Sequence, residues 1–133
     1  VVMRRPDSRG AALVTLSGEL GAGKTTLVQA IARSLSVTAS VQSPTFVILR
    51  SYDVPAIADS WVKDPWKKLI HIDAYRLEGN HDFEVLKLQE YLADPANLIL
   101  IEWPERIPEI VKHLQVACSL KHVAEDVREI EIS

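Results

Sequence analysis

The chain has 133 residues, with 15 basic and 18 acidic side chains and a net charge of -3. That length suits one domain able to bury about two-thirds of its unfolded surface. The acidic balance gives bulk electrostatics no reason to recruit nucleic acid, so any RNA contact has to be local. A single cysteine, Cys118, has no internal disulfide partner, and its alternating apolar surroundings read as a small buried hydrophobe. The apolar runs are short and no charged-then-apolar leader opens the chain, so the expectation is a soluble cytoplasmic protein without a membrane span.

Residues 1–10 carry Arg4, Arg5 and Arg9 without either structural period and read as a flexible lead-in; the arginines are its only candidates for RNA contact. Ala11 to Leu16 is an apolar run of buried-strand type, followed directly by Gly18-Glu19-Leu20-Gly21-Ala22-Gly23-Lys24-Thr25-Thr26. That stretch fits the P-loop pattern, and it lies in the required order of strand, glycine loop and helix. Glycines let the backbone turn its N–H groups onto phosphate oxygens, and Lys24 supplies a point charge. The Thr25 hydroxyl suits Mg²⁺. Leu27, Ile31 and Leu35 then mark a helix whose N-terminal end points at the phosphates.

Ser43-Pro44-Thr45-Phe46 is a stiff corner leading into a strand expected from Phe46 to about Tyr52. Thr45 is open to two readings, a β-branched strand residue or a switch hydroxyl that senses the γ-phosphate and its metal. The stretch 52–68 reads as an excursion whose tryptophans, Trp61 and Trp66, either fold over the sheet edge or form a docking face. Leu69 to Ile72 is a strand that places Asp73 at its end, where ligand-facing residues of open α/β sheets sit and where plain turn residues also occur. His71 reads as a hydrogen-bonded structural residue, since no second metal ligand is suitably spaced.

Asn80, His81 and Asp82 can cap one or two short helices over Phe83 to Leu92, stopped by Asp94-Pro95. Leu98 to Ile101 is a buried parallel-strand run with Glu102 directly after it, the placement P-loop ATPases use to hold Mg²⁺ or orient water. Trp103 reads as packing or partner surface. After a helical turn over Glu109 to His113, alternation at Leu114, Val116, Cys118 and Leu120 and again at Ile130 and Ile132 predicts two half-buried antiparallel strands. The fold class expected is a P-loop NTPase-like three-layer α/β sandwich, its sheet mainly parallel with an antiparallel C-terminal extension.

Four stations, GELGAGKTT at Gly18 to Thr26, SPTF at Ser43 to Phe46, HIDAYR at His71 to Arg76 and IEW at Ile101 to Trp103, together resemble the bacterial TsaE (YjeE) family. The resemblance covers about Leu13 to Pro108. It implies an accessory ATPase for threonylcarbamoyladenosine at position 37 of tRNA, acting on a complex of the TsaB and TsaD proteins and meeting tRNA through them. It implies ATP on Gly21, Ala22, Gly23, Lys24, Thr25 and Thr26, with Thr45 at the switch. Thr25 and Glu102 would form the Mg²⁺ shell, and Asp73 would position water or metal beside Glu102 and Lys24 in the chemistry. Tyr75 and Arg76 would shape the site or meet TsaD. The family usually carries a strand and helix ahead of the P-loop strand, and 17 residues precede Gly18 here, so that part is expected to be shortened or absent.

Two other classes stay open on the sequence. A small-molecule kinase would need an acceptor site, with 52–68 and 77–97 as its candidates; a binding module would use ATP only as a conformational ligand. A GTPase is disfavoured because no Asn-Lys-x-Asp signature occurs.

Overall fold

The computed structural model describes residues 10–41, 48–56, 65–77, 84, 86–113 and 116–133. Ala12–Ser17 forms β1, followed by helix α1 (Lys24–Ser34), β2 (Leu49–Asp53), β3 (Lys68–Asp73), helix α2 (Leu88–Ala93) and β4 (Asn97–Glu102). Two 3-10 turns, Pro104–Arg106 and Pro108–His113, lead to β5 (Val116–Ala124) and β6 (Val127–Ile132). The six strands form one sheet in the order β2-β3-β4-β1-β5-β6. β1, β3, β4 and β5 run parallel, while β2 and β6 are antiparallel edges. This is the expected mixed sheet with its antiparallel C-terminal hairpin.

The period of two in a strand sorts the core into two layers. Ala12, Val14, Leu16, Leu98 and Leu100 face α1, meeting Val28 and Ala32. Leu13, Ile70, Ile72, Ile99 and Ile101 face the other way, against Leu88 and Leu92 of α2 and Ile107 and Ile110 of the 3-10 turns. Each fully buried Leu or Ile contributes about 1.5–3 kcal/mol, so the central strands carry most of the stabilisation. The helix α1 packs along Val28 and Ala32, with Leu27, Ile31 and Leu35 flanking that line and only partly buried.

Three expectations change. The strand before the excursion begins at Leu49, because Ile48 has a φ of 70°. A β-branched residue there breaks the extended run, and the Ile48 carbonyl instead accepts the Asp73 N–H at 2.8 Å. The excursion is shorter than 52–68, since Tyr52 and Asp53 pair with Leu69 and Lys68 inside the β2–β3 ladder. The second strand of the C-terminal hairpin is not half-buried: every residue of β6 is exposed, because among the described residues no layer covers it. The lead-in 1–9, the Ser43 to Phe46 corner with Thr45, Trp61, the Asn80 to Asp82 cap and Leu114 lie outside the described residues.

Trp66 folds back into the α1-side core with 8% of its surface exposed, the first of its two readings. Trp66→Ala is therefore expected to cost about 3–5 kcal/mol of stability in chemical denaturation. A tryptophan serving only an outer docking face would leave the midpoint nearly unchanged.

Candidate functional site

The register of the parallel ladder brings the candidate groups together. Leu16 stands opposite Glu102 on one side, and Asp73 stands opposite Glu102 on the other. Glu102 and Asp73 share the strand face that looks toward α1, and the N-terminus of α1 begins at Lys24, just past the loop that leaves β1. The site therefore lies outside the C-terminal ends of parallel strands, where open α/β sheets bind ligands.

The loop needs its glycines at definite places. Gly23 precedes α1 with a φ of 100°, a conformation that costs any residue with a Cβ. At Gly18 the constraint is close approach, since a Cβ would stand 2.5 Å from the Leu120 carbonyl oxygen of β5. Lys24 is buried and its ammonium donates to the Gly18 carbonyl and, at 2.9 Å, to the Glu19 carbonyl. Desolvation lowers its pKa below the ordinary lysine value, and the negative charges of Glu102, Glu105 and Asp73 oppose that shift. The ammonium also lies 4.2 Å from the ring centre of Trp103, whose ring meets that of Tyr75 at 5.0 Å. Trp103 thus packs against the P-loop lysine itself.

The Thr25 hydroxyl lies 3.2 Å and 3.3 Å from the two carboxylate oxygens of Glu102, to which it donates. Glu102 Oε2 is also 2.6 Å from His71 Nε2. Asp73 makes the turn contact of one of its readings and also stands on the cleft wall. Its Oδ1 accepts the Tyr75 N–H at 3.0 Å in a turn, and the residue lines the cleft above the P-loop.

That cleft measures about 690 Å³ and takes in Gly21 to Thr26, Asp73, Glu102 and Trp103. Sequence reasoning missed its far wall, made by Leu120, Glu125, Asp126, Arg128 and Ile130 of the β5–β6 hairpin. The alternation in the tail announced a hairpin but not the side of the P-loop on which it stands. The Arg128 guanidinium is turned back toward the carbonyls of Ala124, Glu125 and Val127. The link from His71 to Glu102 was also missed; its signal is that His71 stands two residues before Asp73 and so shares its face. None of the described residues of 52–68 or 77–97, the kinase candidates, lines the cleft.

A strand, a glycine loop and a helix, with two carboxylates at the ends of neighbouring parallel strands, define this chain as P-loop NTPase-like in fold. The family model for the threonylcarbamoyl adenosine biosynthesis protein TsaE matches residues 3–130, and the chain belongs to that family. It is 38% identical over 130 residues to the tRNA threonylcarbamoyladenosine biosynthesis protein TsaE of Streptomyces coelicolor, covering 94% of this chain and 81% of that protein. To the protein of the same name from Bacillus subtilis it is 36% identical, over 89% of this chain and 66% of the relative. The crystal structure of Bacillus subtilis YdiB superposes with a TM-score of 0.62 at 30% identity, covering 91% of this chain and 66% of that one. Among the described residues no helix is long and apolar enough to cross a membrane.

Proposed function

We propose that the cleft binds ATP with Mg²⁺ and hydrolyses it, and that the chain serves threonylcarbamoyladenosine formation on tRNA through the TsaB and TsaD proteins. The observation that carries this reading is the contact between the Thr25 hydroxyl and the Glu102 carboxylate beneath the P-loop. Both are oxygen ligands of the kind a hard cation takes, and Asp73 adds a third oxygen donor beside them. The residues present therefore fit Mg²⁺, with Thr25 and Glu102 holding it directly or through water. Bound there, the ion would neutralise charge on the outer phosphates.

The backbone N–H groups of Gly21 to Thr26 would cradle the phosphates. Lys24 would leave the Gly18 and Glu19 carbonyls to meet the outer ones, and Asp73 would orient the attacking water. Leu27 and Ala30 of α1, with Leu120 and Ile130 of the hairpin, give the cleft an apolar flank suited to the nucleoside. Thr45, from the sequence pattern, would sense the γ-phosphate. Catalysis of this kind is positioning and charge stabilisation. The cleft's own arginine is engaged with hairpin carbonyls, so hydrolysis is expected to be slow until a partner completes the site.

The relatives' names supply the tRNA modification, and the names TsaB and TsaD come from the family resemblance. A cytoplasmic location follows from that role. The test is multiple-turnover tRNA threonylcarbamoylation in a reconstituted system containing TsaB and TsaD. Product should rise beyond one equivalent of complex only with this chain and hydrolysable ATP, and Lys24→Ala should not support it. Equal product with a non-hydrolysable analogue would make ATP a conformational ligand alone.

A further inference from the structure

His71 is a buried titratable group on the α1 face for which the phosphate chemistry has no use, and its geometry is specific. It sits in β3 with its side chain 0% exposed, and its Nε2 lies 2.6 Å from Oε2 of Glu102, itself 4% exposed. Its other ring nitrogen, Nδ1, has no hydrogen-bond partner among the described residues. A hydrogen on Nδ1 would be buried without an acceptor, so the tautomer that fits carries its hydrogen on Nε2 and donates it to Glu102.

The consequence is for Glu102. A carboxylate at the end of a strand can rotate about its last torsion, a broad and shallow well. Here the donor from the core side holds Oε2, while the Thr25 hydroxyl approaches both oxygens from the helix side. The remaining lone pairs are left toward the cleft that Glu102 lines. A buried anion also needs donors to offset its lost hydration, and His71 supplies one without occupying the cleft.

We propose that His71 is a positioning residue that fixes the Glu102 carboxylate for the divalent ion, an inference that rests on the nucleotide-site reading above. It predicts a defect confined to metal-dependent steps. The pair His71→Asn and His71→Gln separates this role from simple core packing. Both amides are polar, but glutamine places its nitrogen near the position of Nε2 and asparagine near that of Nδ1.

The experiment is calorimetric titration of ATP into the whole chain, in EDTA and in excess Mg²⁺, for wild type, His71→Leu, His71→Asn and His71→Gln, with a denaturation midpoint for each. In Leu and Asn the Mg²⁺-dependent gain in affinity should fall about tenfold or more, while affinity in EDTA stays within about twofold. Gln should retain most of the gain. The Mg²⁺ concentration for half-maximal hydrolysis should rise by the same factor in Leu and Asn. In a Glu102→Gln background, His71→Leu should change nothing further. If Leu does not fold, the Asn and Gln pair decides. An unchanged gain in Asn, equal losses in Asn and Gln, or equal losses with and without Mg²⁺ would overturn the inference. Wild type without any Mg²⁺-dependent gain would overturn the nucleotide-site reading first, and this inference with it.

Discussion

Lys24→Ala is expected to weaken ATP binding about 100-fold or more while leaving the fold in place. Among the described residues the ammonium is the only lysine charge lining the cleft, and a charge-assisted contact to phosphate in a partly desolvated site is worth about 3 kcal/mol, or two orders of magnitude in Kd. In the structure the same ammonium is held by the Gly18 and Glu19 carbonyls and the face of Trp103. Glu19 is exposed and Gly18 half-buried, so water can take the place of the lost donor at small cost. Isothermal titration of ATP, with circular dichroism for the fold, checks both halves. Undiminished ATP affinity in Lys24→Ala would remove the P-loop from the account.

Glu102→Gln should behave differently, with turnover falling about 10²–10³-fold and ATP still binding. The amide keeps the shape and a contact with Thr25, but it removes the only carboxylate that the Thr25 hydroxyl touches among the described residues. Its neighbour Asp73 stands one strand away and does not take over the contact with the Thr25 hydroxyl. Single-turnover hydrolysis separates this loss from binding. Full activity in Glu102→Gln would shift the metal role to Asp73.

The central sheet and its cleft-lining end were legible because their signals are local. Leu98 to Ile101 is apolar on both faces, so a buried parallel strand was its simplest reading, and Glu102 after it had few bland explanations. The glycines ahead of Lys24 likewise dictate a loop. What stayed hidden depends on contacts between distant segments. Nothing in the order of residues says that β5 passes so close to Gly18 that only glycine fits there, or that Ile130 and Arg128 complete the cleft wall.

The edges misled for a related reason. Ile130 and Ile132 alternate with Glu129 and Glu131 as a half-buried strand should, yet β6 lies beyond both covering layers. Period alone identifies a face and not what covers it. His71 is the instructive middle case. Its hydrogen-bonded role was readable from its setting in an apolar strand, but its partner was not, because β3 and β4 meet through a register that only the folded sheet sets.

The measurement that bears most directly on the central claim is steady-state ATP hydrolysis by the purified chain, alone and after addition of the TsaB and TsaD proteins, with Lys24→Ala as the blank. Slow Mg²⁺-dependent hydrolysis alone and strong stimulation by the added proteins are expected, both absent from the blank. Hydrolysis that Lys24→Ala retains, or ATP bound by wild type with no hydrolysis under either condition, would contradict that claim.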